Sequence, residues 1–142
     1  MNSDTTTVDK RIEEARSTLK EYGYESECYW IKGIGDGTRK VRIYSDLHPN
    51  EKVCFVACGG DRTIGEVASG LVGFQNKSMA IIKLGDTGND FVKCFPGKDF
   101  QSAEALLKGQ VKEVDIIKIN DSYALNVCDF GFDSVAGSIA NE

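Results

Sequence analysis

Two short stretches carry residue types and spacings that could do chemistry: CGGDRTIGEV, Cys58 to Val67, and LGDTGNDF, Leu84 to Phe91. Each follows an apolar run. In the first, Gly59 and Gly60 let a ligand come close to the main chain. The amides opening a helix near Thr63 would point at a bound phosphate, with the helix dipole behind them. Asp61 falls at the carboxyl end of a strand, where open α/β sheets place their sites; its other role is to cap the helix. Glu66 either completes that cap or joins the site. In the second stretch Gly85, Thr87, Gly88, Asn89 and Asp90 are small or polar, and none adds to a core. Two glycine turns at the ends of successive parallel strands should converge on one site; the alternative is two unrelated turns.

A third glycine stretch, GIGDGT (Gly33 to Thr38), resembles a dinucleotide fingerprint but has Thr38 where the last glycine belongs. No acidic residue ends a following strand at the distance such a site needs. A flexible turn with Asp36 or Thr38 capping the next helix is the better reading.

The elements that must position these turns follow from apolar spacing. Residues 1–7 are polar and read as loose. Val8, Ile12, Ala15, Leu19 and Tyr22 make a helical stripe that Gly23 ends. Cys28 to Ile31 (CYWI) reads as a strand. Thr38 to Leu47 reads as a helix with Val41, Tyr44 and Leu47 inward, stopping before Pro49. Lys52 to Cys58 is apolar on both faces, as in a covered parallel strand. Thr63 to Phe74 is a helix burying Ile64, Val67, Leu71 and Val72, and Ser78 to Leu84 a second buried strand. Asp99 to Leu107 is helical, with Ala103, Leu106 and Leu107 inward. Val111 to Asn120 and Tyr123 to Cys128 form a hairpin through Asn120-Asp121. Alternating strands and helices give an α/β domain with a mostly parallel sheet.

Composition sets outer limits. With 142 residues the chain suits one domain. Its apolar fraction of 41% and charged fraction of 27% fit a globular protein. A net charge of −5 argues against nucleic acid as a main partner and leaves a small phosphorylated ligand open. Five cysteines, none in a CxxC pair, read as free buried thiols of a reducing compartment. Cys54 and Cys58, roughly 13 Å apart on one strand, are too distant for a disulfide. With His48 the sole histidine, zinc has no compact ligand set. The N-terminus lacks the basic start and apolar core of a signal peptide, and no apolar run nears the ~20 residues of a membrane span. The expected location is cytoplasmic, peripheral to a membrane if a lipid is met.

GGDRTIGEV resembles the GGDGTxNEV motif of the diacylglycerol kinase catalytic domain family, which includes sphingosine, ceramide and bacterial lipid kinases. LGDTGNDFVK is similar to the family's GTGNDF-type loop, in family order and spacing. VDIIKIN and NVCDFGFDSVA resemble its downstream segments, and GDGTRKVR an upstream one. The resemblance runs from about Asp9 to the end. It implies a three-layer α/β nucleotide lobe, similar to those of NAD kinase and phosphofructokinase, and phosphorylation of a lipid hydroxyl by Mg²⁺·ATP. It carries over Gly59, Gly60, Asp61, Arg62, Thr63, Gly85, Thr87, Gly88 and Asn89 as ATP-binding positions. It also implies Asp61 and Glu66 as catalytic carboxylates, and Asp90 and Asp115 for the metal and its water shell. An NAD-linked or sugar kinase on a similar lobe is a weaker option.

Four departures from the family pattern bear on activity. Arg62 replaces a glycine; were a positive φ needed there, it would cost about 1–2 kcal/mol and crowd the phosphates. The kinder outcome is a guanidinium aimed at them, and damage is the favoured expectation of the two. Gly65 replaces an asparagine, and Asp86 is an extra residue. The family's first strand and its C-terminal β domain have no counterpart in residues 9–142, so an exposed sheet edge and self-association are expected. Two functions follow: an ATP:lipid kinase nucleotide-binding domain, or a non-catalytic homologue that keeps the fold and at most binds nucleotide or a partner subunit.

Overall fold

The computed structural model describes residues 5–85 and 89–126. Helix α1 spans Thr5–Glu21, beginning three residues ahead of the expected Val8. Helix α2 spans Asp36–Leu47, strand β1 Val53–Cys58, helix α3 Asp61–Leu71 and strand β2 Lys77–Ile82. Short helices α4 (Asp90–Lys93) and α5 (Ala103–Leu107) follow, then strands β3 (Ile117–Ile119) and β4 (Ser122–Ala124).

β1 and β2 pair in parallel, with Val53 opposite Lys77 and Cys58 opposite Ile82. Their alternating side chains serve two cores. Ala57 and Ile81 pack with Val41 of α2 and with Ile64 and Val67 of α3 on one face. Ile82, flanked by Val56 and Cys58, packs with Ala15 of α1 and Ala103 of α5 on the other. The result is the expected α/β layering, helices on both sides of a parallel pair. β3 and β4 form the expected antiparallel hairpin, with Asn120 at φ 52° in its turn.

Gly70 explains how closely α2 approaches α3. A Cβ there would sit 2.7 Å from Val41 Cβ and 2.9 Å from the Thr38 carbonyl oxygen. Only glycine lets the two helices meet at this distance.

Several expectations are corrected. Cys28 to Ile31 is not a strand: residues 24–32 carry no regular structure, and Trp30 is 54% exposed. Apolar and aromatic composition suits a strand, but a strand needs a neighbour to receive its hydrogen bonds. Leu47 is 72% exposed at the end of α2, a helix that packs chiefly against α3. The helix expected from Asp99 starts at Ala103, because the Ser102 hydroxyl accepts from Ala105 N at 3.2 Å and so caps it. Residues 111–116 are irregular and exposed or half-buried. Cys28, Cys54, Cys58 and Cys94 are free thiols, but three are exposed and Cys58 is half-buried. Cys128 and the segment from Val127 onward lie outside the described residues, as do Asp86, Thr87 and Gly88. Among the described residues no helix is long and apolar enough to cross a membrane.

Candidate phosphate-binding site

Two glycine turns meet at Asp61. It is the first residue of α3, immediately after the Gly59-Gly60 turn that leaves β1. Its carboxylate does not cap its own helix. It accepts from Asp90 N at 2.8 Å and Phe91 N at 3.0 Å, the opening amides of α4. One carboxylate therefore ties the turn after β1 to the start of α4, which follows the turn after β2.

The first turn is shaped for close approach. Gly59 N donates to Ile82 O at 3.2 Å, which extends the parallel ladder by one step. A Cβ on Gly59 would lie 2.6 Å from Thr63 Oγ1, so no side chain fits there. Gly60 is the N-cap of α3 and brings no side chain to cover the helix start. The first intrahelical bond is Ile64 N to Gly60 O at 3.1 Å. The opening amides of α3 have no carbonyl behind them, the arrangement that receives an anion.

Arg62 sits inside α3 without backbone strain, since Asn120 is the one non-glycine residue at positive φ among those described. The feared strain at this position is absent. Its side chain is 63% exposed, and Nε donates to Glu66 Oε1 at 3.4 Å. Gly65 has open space where a Cβ would stand.

Glu66 faces away from its own helix start. Its carboxylate, 11% exposed, accepts from Gly35 N at 3.1 Å and Gly37 N at 2.8 Å. It therefore caps α2, the task expected of Asp36 or Thr38. Asp36 instead accepts from Lys32 N at 2.9 Å, from the Tyr29 hydroxyl and from Arg39. The Lys32 amide, followed by Arg39, holds the Asp36 carboxyl below its ordinary range. Thr38 Oγ1 donates to Glu66 O at 2.9 Å. The GIGDGT turn is thus a clamp between α2 and α3; Gly37 allows it, since a Cβ there would lie 2.8 Å from Glu66 Oε2.

In the second turn Gly85 lies at φ 97° and accepts from Asn89 Nδ2 at 3.4 Å. Asn89 is 2% exposed and precedes α4. The Asp90 carboxylate is exposed and pairs with Lys93, which lifts the Lys93 ammonium above its usual range. Thr87 and Gly88, between them, lie outside the described residues.

Asp61, Arg62, Ile64, Gly65, Asp90 and Phe91 line a pocket of about 310 Å³, closed on one side by Tyr123, Ala124, Leu125 and Asn126. The sequence located this hairpin through Asn120-Asp121 but carried no sign that it covers the site. Ser69 Oγ reaches Tyr123 O at 3.5 Å and so attaches the hairpin to α3. Asp115 is exposed on the irregular stretch before β3 and does not line the pocket. Among the described residues no group of three or more His, Cys, Asp or Glu side chains could hold a metal ion. The amides opening α3 could receive a phosphate oxygen. For a divalent cation the pocket offers the exposed Asp90 carboxylate, which is paired with Lys93.

The Diacylglycerol kinase catalytic domain profile matches residues 1–119. The chain belongs to the diacylglycerol kinase catalytic domain family. Relatives named diacylglycerol kinase from Staphylococcus aureus strains JH9, Newman and NCTC 8325 / PS 47 are each 30% identical over 125 residues. The match takes in 86% of this chain and 38% of each relative, so the chain spans well under half of their length. Family membership accords with the order of the two glycine turns and with the parallel pair that presents them.

Proposed function

We propose that this chain is the nucleotide-binding part of an ATP-dependent lipid kinase, transferring the γ-phosphate of ATP to a lipid hydroxyl. The observation that supports the reading is the Asp61 bridge, which brings the turn after β1 against the start of α4 that follows the second turn. In this reading the amides at Gly60, Asp61, Arg62 and Thr63 donate to phosphate oxygens, with Gly59 keeping the turn tight against Thr63. Gly85 and Asn89 of the second turn are proposed to bind the same phosphates, as are Thr87 and Gly88, which lie outside the described residues. Arg62 turns its guanidinium to the phosphates, since it stands exposed at the pocket rim with one nitrogen held by Glu66. Asp90, once released from Lys93, would hold Mg²⁺ together with phosphate oxygens; Asp115, which does not line the pocket, is given no part in this reading. When bound, the metal supplies charge neutralisation at the transferring phosphate.

Asp61 and Glu66 act chiefly by position. Both oxygens of Asp61 are taken by amides of α4, and Glu66 is taken by amides of the GIGDGT turn. This favours a second reading, in which the chain keeps the fold and binds nucleotide without transferring phosphate. Self-association through the outer edge of β1 or β2 is proposed with either reading; a monomer mass by light scattering would remove it.

Calorimetric titration with Mg²⁺·ATP tests the shared claim. A saturable signal is expected, and no heat at about 1 mM ATP would contradict both readings. Transfer of labelled γ-phosphate to dispersed diacylglycerol then separates them: product supports the kinase, binding without product the second reading.

A further inference from the structure

A second cavity lies on the far side of α4. It measures about 300 Å³ and shares no lining residue with the pocket at Asp61. Lys83, Lys93 and Lys98 line it, beside the rings of Phe95 and Phe100. In a chain of net charge −5, three lysines on one concavity run against the overall balance.

The walls are built. Lys83 N donates to Phe100 O at 2.7 Å. Arg11 Nη2 donates to Lys83 O at 3.0 Å and Gln101 O at 3.4 Å, which brings a further positive charge behind the wall. Phe95 packs between Phe91 and Phe100, with ring centroids 5.4 and 6.2 Å away. The one carboxylate on the lining, Asp99, is engaged by Gln101 N at 2.7 Å and Ser102 Oγ at 3.3 Å. Lys93 is paired with Asp90. Neither Lys83 nor Lys98 has an ion-pair partner among the described residues.

Two ammonium groups without an ion-pair partner among the described residues, with the Arg11 guanidinium behind them, make a solvent-open receptor for a compact anion. We propose that this cavity is a second anion site, taking the phosphate of a mono- or diester. It stands apart from the nucleotide site and does not depend on ATP binding there. A soluble phosphate ester and a phospholipid headgroup present the same chemistry.

The test uses the ¹⁵N-labelled full chain. Inorganic phosphate, raised to about 10 mM, is expected to move the amide signals of Gly97, Lys98 and Gln101 saturably. In a parallel arm the chain is sedimented with vesicles of phosphatidylcholine, alone or mixed with phosphatidylglycerol. Binding to the anionic vesicles that greatly exceeds that of phosphate identifies a headgroup; phosphate binding alone identifies a soluble ester. In either arm the double variant Lys83→Gln/Lys98→Gln should lose at least about tenfold in affinity. Lys83→Arg/Lys98→Arg should retain it, and the signals of Gly60 and Thr63 in the double Gln variant should match wild type. The proposal is overturned if neither probe moves the Gly97–Gln101 signals, if phosphate moves those of Gly60–Thr63 alone, or if the Gln variant binds as well as wild type.

Discussion

Asp61 is the side chain on which the site's shape depends. Replacing it with alanine removes a charged acceptor from two amides of α4. The expected cost is about 1–3 kcal/mol in urea unfolding, at the range for hydrogen bonds to a charged group. The same variant should lose nucleotide affinity, although Asp61 need not touch a nucleotide base or sugar. Asp36 gives a pH effect with a fixed sign. Its folded-state pKa is lowered, so its contribution is present above the ordinary carboxylate pKa and is lost as pH falls through the lowered value. Asp36→Asn should therefore flatten the acid limb of a stability–pH curve; an unchanged limb would show that the Lys32 and Arg39 contacts do not form in solution. Burial, followed by the nearby Cys28 side chain, pushes the Cys58 thiol up to about 11 from 9.0. Thiolate is the reactive form but its nucleophilicity rises with pKa, so iodoacetamide at neutral pH should label Cys58 about tenfold more slowly than a thiol of ordinary pKa. Mass spectrometry of the alkylated peptides reads this directly, with exposed Cys94 as the comparison.

At the scale of elements, α3 is the organiser. Its first residue fixes α4, its sixth caps α2, and its tenth is the glycine that lets α2 close in. Gly70→Ala should cost about 1–3 kcal/mol by overpacking against Val41, whereas Gly65→Ala, with open space at its Cβ, should add about 0.5–1 kcal/mol. Thermal melts of the two variants should move in opposite directions. The core stripes of α1, α2 and α3 were legible because helical spacing is a local signal, and Val41, Ile64 and Val67 are buried as their positions required. The β1 and β2 segments were legible as continuous apolar runs, which are also a local signal. Contacts that cross the sequence were not. Glu66 lies 29 residues from Gly37, and Asp61 lies 29 from Asp90. Nothing at short range tells a capping carboxylate which helix it will cap. CYWI failed in the opposite sense: its composition suits a strand, but pairing is a property of the sheet and not of the segment.

For the whole molecule, the two cores leave the glycine turns at one end of the parallel pair, with α3 beneath and the hairpin to one side. The convergence was inferable from two turns following two parallel strands, but the hairpin's cover and the second cavity depend on packing between distant segments. Family membership adds the expectation that phosphates lie between the turns. The central claim is that both turns grip one ligand, and amide signals of the ¹⁵N-labelled chain titrated with Mg²⁺·ATP test it most directly. The account predicts that Gly60, Asp61 and Thr63 of the first turn shift together with Asn89, Asp90 and Phe91 of the second, along one binding curve, and that Asp61→Ala uncouples them. Shifts confined to one turn, or none in either, would contradict it.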